Sequence, residues 1–161
     1  MRLSVLTVMS LFVLLLFGGV ASSSVAESGK KIAPEEAEKM AIEHLQKGIM
    51  YDDQGEFAKA IAEYNKTLEY YPGAENALYN LGFLHMKMDN MSDAISTFDR
   101  LVKLSPDYYE AFNLLGMAYN EIGKGKEAAE AWKTSLSLQA DQPKIRSSYD
   151  KLTAVLIAGK K

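Results

Sequence analysis

The sequence predicts an all-α protein, built as an α-solenoid of three helical hairpins with a capping helix at the C-terminal end. The first observation is a period of 34 residues, at which several residue types recur in phase. The second is the spacing of apolar residues by three and four positions inside each unit, which is typical of amphipathic helices. The recurring columns are three glycines, three alanines and three aromatic residues (Gly48, Gly82 and Gly116; Ala60, Ala94 and Ala128; Tyr64, Phe98 and Trp132).

Residues 1–26 are predicted to be a signal peptide and not part of the fold. Arg2 is a short basic start, residues 3–20 are apolar apart from three hydroxyl side chains, and Ser24-Val25-Ala26 has the small-x-small form of a cleavage site. We therefore expect an exported protein, either periplasmic or secreted. The alternative is an uncleaved anchor in the inner membrane with the repeats facing the periplasm, because about 18 apolar residues are near the lower limit for spanning a bilayer.

The periodic region is preceded by a short tether. Residues 27–40 are predicted to hold this polar tether and the start of the first helix, and the three units are 41–74, 75–108 and 109–142. Each unit is predicted to contain two amphipathic helices joined by a turn of Gly or polar residues, which tolerate helix ends.

Two local features complete the helix assignment. Ser105 before Pro106 is predicted to cap the next helix, with the proline in its first turn, where a missing N–H is harmless. Residues 143–161 are predicted to form a capping helix and tail. Its apolar stripe consists of Ile145, Tyr149, Leu152 and Leu156, whereas Val155 and Ile157 lie off the stripe.

The columns of small and aromatic residues predict how each hairpin packs. A glycine and, twelve residues later, an alanine are expected where the two helices approach closely, since a larger side chain would push the backbones apart. The aromatic residue four positions after the alanine is expected to fill the remaining space, and such burial stabilises by roughly 1.5–3 kcal/mol. Trp132 is therefore interpreted as a core residue and not as part of a ligand site.

The pattern resembles the tetratricopeptide repeat, a helix-turn-helix unit of 34 residues with Leu-Gly, Tyr, Ala, an aromatic residue and Pro in fixed order. The resemblance covers residues 41–142 and implies a right-handed superhelix that binds proteins. The first unit departs from the pattern, with Lys47 in a leucine column and His44 in an apolar one. Polar substitution is expected in an end repeat that no neighbour covers.

One subgroup of this family clamps the C-terminal carboxylate of chaperone tails with inward-pointing Lys, Asn and Arg side chains. The corresponding positions here are Leu45, Ile49, Glu110 and Leu114, and only Asn80 matches. Recognition of a terminal carboxylate by that mechanism is therefore not expected.

Composition and motifs argue against an enzyme. The chain has no cysteine and carries a net charge of -3, which argues against thiolate chemistry and nucleic-acid binding. Both histidines, His44 and His85, stand in columns predicted to pack, and no phosphate loop, dinucleotide fingerprint or metalloprotease motif occurs. We expect no catalytic residues, no metal and no cofactor.

The first helix of each pair is predicted to line a concave surface. Counting from each glycine, the face opposite the packing face takes fifteen residues (Ile42, Leu45, Ile49, Asp52 and Asp53; Asn76, Tyr79, Phe83, Met86 and Lys87; Glu110, Asn113, Met117, Asn120 and Glu121). Four acids against one lysine predict a negative rim, and Asn113 and Asn120 could hydrogen-bond a peptide backbone through both donor and acceptor atoms. The predicted partner is a peptide or helix with apolar anchors and basic residues.

These observations predict a non-enzymatic scaffold that holds a partner protein in its concave groove, during assembly of an envelope complex. The alternative is a structural protein that oligomerises through its own end faces. Ile42, Leu45 and Ile49 would then pack under the tether or against a second copy, since exposed apolar patches mark interfaces of either kind.

Overall fold

A computed structural model describes residues 32–159 of the chain. The predicted signal peptide, most of the tether and the last two residues lie outside the described residues. Over the described range the chain forms seven helices in sequence: α1 (Pro34–Asp53), α2 (Phe57–Tyr70), α3 (Glu75–Lys87), α4 (Met91–Leu104), α5 (Tyr109–Glu121), α6 (Gly125–Leu138) and α7 (Pro143–Ala158). None of these helices combines the length and apolar character needed to cross a bilayer.

The helices pair as hairpins that stack along the chain. α1 packs on α2, α3 on α4 and α5 on α6, and each hairpin also contacts the next through its second helix. α3 additionally touches both α1 and α5, so the first helices of the hairpins lie side by side. The predicted all-α solenoid is confirmed.

The turn inside each hairpin uses one backbone position in the left-handed region. Gly55 and Gly123 have φ of 74°, and Asp89, at the same place in the middle unit, has φ of 61°. Glycine adopts this conformation freely, and aspartate is one of the few other residues that tolerate it.

The glycine and aromatic columns meet at the centre of each hairpin, as predicted. A Cβ added to Gly48 would lie 2.6 Å from the Tyr64 ring, and one added to Gly82 would lie 2.7 Å from the Phe98 ring. The Trp132 indole covers Gly116 in the same way and is only 4% exposed. Each hairpin is therefore held by an aromatic ring lying directly on a glycine backbone.

The first hairpin exposes positions that are buried in the other units, as expected of an end unit. Lys47 is exposed, whereas Leu81 and Leu115 in the same column are 5% exposed. Met50 is likewise 45% exposed where Leu84 is fully buried. No preceding hairpin covers these positions within the described range.

The predicted cap at Ser105 is wrong. The Ser105 amide donates to the Leu101 carbonyl oxygen at 2.9 Å, so this residue closes the last turn of α4. Two turn residues follow, and α5 begins only at Tyr109. The Ser105 hydroxyl instead donates to Glu75 Oε1 at 2.5 Å, which ties the end of α4 to the start of α3.

The last helix covers the end of the third hairpin. All four residues of the predicted stripe are partly buried, and the Leu152 and Leu156 side chains approach Gly125 at the start of α6. Off the stripe, Val155 is 68% exposed and Ile157 is 66% exposed. α7 therefore covers its neighbour while presenting apolar side chains of its own.

Candidate functional site

A stripe of exposed apolar side chains crosses the first helices of all three hairpins. The residue that follows each packing glycine is Ile49, Phe83 or Met117, and these are 42%, 42% and 45% exposed. Because the glycine faces the partner helix, the next residue is rotated by about 100° around the helix, toward the outside of the hairpin. The three side chains occupy one register position on adjacent helices, and we call this row the apolar stripe.

The other predicted apolar residues are less available. Leu45, Tyr79 and Met86 are partly buried and pack against the core, so each offers only an edge to a partner. Ile42 is different, since half of its surface is exposed at the start of the stripe.

The charged residues of this surface keep an excess of acids. Lys87 Nζ donates to Asp52 Oδ1 at 2.9 Å and lies 4.5 Å from the centre of the Phe57 ring, so one predicted acid is already paired. Asn76, Asn120, Asp53 and Glu121 are exposed, while Glu110 is partly buried. Three of the four predicted acids keep no lysine or arginine partner among the described residues.

The Glu110 carboxylate affects the ionisation of a neighbouring tyrosine. Burial raises the pKa of the Tyr79 hydroxyl, and the Glu110 carboxylate raises it further by repelling a phenolate. The Glu110 carboxylate therefore lies close enough to the Tyr79 hydroxyl to oppose its ionisation.

Asn113 has a different role from the predicted one. Its Nδ2 donates to Gln142 Oε1 at 2.6 Å, and its Oδ1 is shielded from solvent, so neither group is free to bind a peptide backbone. Gln142 is itself held, because its Nε2 donates to the Ser135 carbonyl oxygen at 3.1 Å. The residue closes the junction between the third hairpin and α7.

The contact of Asn113 with Gln142 joins two positions that recur in every unit, and the sequence analysis did not predict that these two positions meet. In each unit, the residue three positions before the packing glycine faces the last residue of the unit. The pairs are Leu45 with Ala74, Tyr79 with Tyr108, and Asn113 with Gln142. In the second junction the two tyrosine rings stack, with centroids 5.7 Å apart and planes 9° apart. The third junction is hydrogen-bonded. The 34-residue alignment already placed these residues in register, so the pair was open to detection.

Within the part of the chain that the structure describes, the first junction is open. Leu45 and Ala74 line a pocket of about 360 Å³ between α1, the end of α2 and the start of α3. Glu38 and Glu75 also line it, with Tyr71 at its edge. We call this the junction pocket. It adjoins Ile42, and therefore lies at one end of the apolar stripe.

The two histidines occupy packing positions. The His44 ring stacks on Tyr70, with centroids 5.5 Å apart, and its Nδ1 donates to Glu63 Oε2 at 2.6 Å. His85 is partly buried, and its Nδ1 is shielded from solvent. His44 therefore replaces an apolar contact of the other units with a ring stack and a hydrogen bond to Glu63.

Comparison with known proteins supports the repeat assignment. Models of the tetratricopeptide repeat match residues 53–107 and 84–143, and together they span more than half of the chain. A Caenorhabditis elegans protein, tetratricopeptide repeat-containing protein trd-1, is 27% identical over 93 residues, which are 58% of this chain and 12% of that protein. The chain spans 12% to 41% of the length of three such curated relatives.

Solved structures show the same architecture. The first repeat domain of Spaghetti (RPAP3), bound to the HSP90 peptide SRMEEVD, has a TM-score of 0.69 at 22% identity, covering 74% of this chain and 95% of that one. The C-terminal repeat domain of a putative FK506-binding protein from Plasmodium falciparum has a TM-score of 0.70 at 22% identity, covering 81% and 97%. At this level of identity the likeness concerns the fold. With the period, the glycine and aromatic columns and the matching family models, it follows that the chain belongs to the tetratricopeptide repeat family.

Proposed function

We propose that this chain is a non-enzymatic adaptor that binds a segment of a partner protein along the surface formed by α1, α3 and α5. The observation that carries the proposal is the apolar stripe of Ile49, Phe83 and Met117. Each of these side chains is over 40% exposed, and those of Phe83 and Met117 are exposed although both sequence neighbours are buried. A row of large exposed apolar groups on three adjacent helices marks an interaction site.

The preferred partner differs from that of the Spaghetti domain. That domain is bound to an acidic peptide ending in Glu-Glu-Val-Asp. Here Leu45, Ile49, Glu110 and Leu114 stand where the chaperone-binding subgroup has basic residues and asparagine, and unpaired acids surround the stripe. The surface therefore favours a segment with apolar anchors and lysine or arginine.

A photo-crosslinking pair tests the proposal. A photoreactive residue at Phe83 should trap a discrete partner in cells, whereas the same residue at Ser96, exposed on the outer helix α4, should not. Phe83→Ala combined with Met117→Ala should abolish co-purification of that partner without unfolding the protein, since both side chains are largely exposed. Equal trapping from both positions, or capture that the double variant leaves unchanged, would contradict the proposal. Tyr79 is unsuitable for such a test because it also stacks on Tyr108.

We also propose that the adaptor acts beyond the inner membrane, in assembly of an envelope complex. The support is the N-terminal sequence, with Arg2, an apolar run and the Ser24-Val25-Ala26 motif. Fractionation of cells expressing the chain with and without residues 1–26 tests this. Export is expected only with the segment present, and equal cytosolic retention of both forms would refute it.

A second candidate function is self-association. It is favoured by Val155 and Ile157 on α7, which are more than 60% exposed on the last helix of the array. Light scattering of the wild type and a Val155→Lys/Ile157→Lys variant distinguishes the two functions. A wild-type monomer at tens of micromolar rejects self-association, whereas oligomers that only the variant loses would support it.

A further inference from the structure

The junction pocket lies where the first junction lacks the side-chain contact that closes the second and the third. At the second junction, Tyr79 and Tyr108 bring two rings into contact across adjacent hairpins. At the first junction the same register positions hold Leu45 and Ala74, which lack both rings, and a pocket of about 360 Å³ results. The corresponding space holds two stacked aromatic rings at the second junction and the Asn113–Gln142 hydrogen bond at the third, so an aromatic ring is one group that this position of the fold accommodates.

The walls of the pocket are suited to an aromatic ring. Ala41, Leu45 and Ala74 supply apolar surface, and the exposed ring of Tyr71 stands at the edge, where a second ring can stack on it. A pocket of this volume is within the range that holds small ligands, and an aromatic side chain is smaller still.

The charges around the pocket indicate what accompanies the ring. Among the described residues, Glu38 and Glu75 are the only charged ones that line it, and none of the described lysines or arginines does. Glu75 accepts a hydrogen bond from the neutral Ser105 hydroxyl, so its negative charge is not cancelled. A lysine or arginine next to the ring in the partner's sequence would be attracted to this rim.

We propose that the junction pocket binds one aromatic side chain of the partner segment, with an adjacent lysine or arginine at the Glu38–Glu75 rim. This rests on the proposed function and adds the anchor that determines which segments are selected. The chain's own residues 27–31, which directly precede the described range, contain no aromatic residue and cannot supply the ring. Buried aromatic anchors in pockets carry a large share of the affinity of protein interfaces.

The probe is a short acetylated and amidated peptide with a central phenylalanine between two lysines, titrated into the isotope-labelled protein and followed by NMR. We expect shifts concentrated at the amides of Ala41, Ala74 and Asn76. Replacing the phenylalanine by alanine should weaken binding by about ten-fold or more, and glutamates in place of the lysines should also weaken it. No shift at these amides up to millimolar peptide, or equal binding of the alanine peptide, would overturn the proposal.

The tyrosine pair of the second junction suggests a variant that fills the junction pocket and blocks peptide binding. Leu45→Tyr with Ala74→Tyr copies the pair that already packs in the second junction, so it should fold, raise the melting temperature and lose peptide binding. Glu75→Gln leaves the pocket open and should weaken only lysine-containing peptides, so it reports on the rim if the double variant fails to fold. Unchanged binding by a folded double variant, or no effect of Glu75→Gln, would refute the proposal.

The experiments distinguish an error in the pocket proposal from an error in the proposed adaptor function. If the double tyrosine variant keeps the cellular partner that Phe83→Ala/Met117→Ala loses, the pocket is not the anchor while the groove remains the binding site. If neither variant loses a partner, the adaptor proposal fails as well. A second copy of the chain as the occupant would appear as a wild-type dimer that the tyrosine variant abolishes, and this also overturns the proposal.

Discussion

Gly82→Ala is expected to destabilise the protein even though alanine favours helices. In a helix interior this exchange normally stabilises by roughly 0.5–1 kcal/mol, because glycine loses more backbone freedom on folding. Here the new Cβ would lie 2.7 Å from the Phe98 ring, which is fully buried and cannot swing away. Overpacking of this kind costs about 1–3 kcal/mol, and its central value of about 2 kcal/mol less the helix gain leaves an expected net loss of about 1–1.5 kcal/mol.

Urea unfolding followed by far-ultraviolet circular dichroism measures this difference. Gly73→Ala is the matched control, since the nearest atoms to its new Cβ are 3.9 Å away and we expect no loss of stability. In a Phe98→Leu background, the penalty of Gly82→Ala should shrink by at least half, because the ring that the methyl group meets is gone. A Gly82→Ala protein as stable as the wild type, or a penalty that persists beside leucine, would refute the packing argument.

Three further outcomes follow from the ionisable groups. Burial opposes ionisation of Glu63, but hydrogen bonds from His44 and Lys66 outweigh it and lower the pKa of Glu63 below 4.5. The stabilising contribution of the ionised Glu63 is therefore full above pH 4.5 and is lost as the pH falls through the lowered pKa. Urea unfolding of Glu63→Gln should consequently show a weaker acid dependence than that of the wild type. Burial, followed by the charge of Asp52, raises the pKa of Tyr64 to about 12. The stability that Tyr64 contributes should be full below pH 10 and lost as the pH rises through 12. Ultraviolet absorbance should show a phenolate component that ionises late in the titration and that Tyr64→Phe removes. Breaking the exposed Lys87–Asp52 pair with an alanine in place of the lysine should cost about 0.2–1 kcal/mol, less at high salt, and a loss several times larger would show that the pair is not a simple surface contact.

The periodic part of the fold was predictable because the same contacts between helices recur in every repeat. The contact of Gly82 with Phe98 needs only the register of two columns, and the sequence shows that register three times. The cap at Ser105 was not predictable in the same way. A serine before a proline is compatible with either side of a helix boundary, and only the amide bond to Leu101 assigns it to the preceding helix.

The surface was harder to predict than the core because its contacts are made between units. Asn113 was expected to be free, but its partner Gln142 lies 29 residues away in a column with no constant residue type. The pairing of Asp52 with Lys87 crosses from one unit to the next, and the sequence alone does not show which acid the lysine contacts. Exposure also depends on which neighbour is present, and one repeat considered alone does not contain that information.

The indole of Trp132 has a consequence for experiments on this chain. It is the only tryptophan in the sequence, it lies on Gly116, and its Nε1 donates to the Asn113 carbonyl oxygen at 3.2 Å. Its emission therefore reports the third hairpin alone, while circular dichroism averages over all helices. Stability in stacked repeats is a sum of local and neighbour terms, so the ends can open before the middle. Comparing the two signals along one urea titration would show whether the chain melts from its C-terminal end or as a single unit.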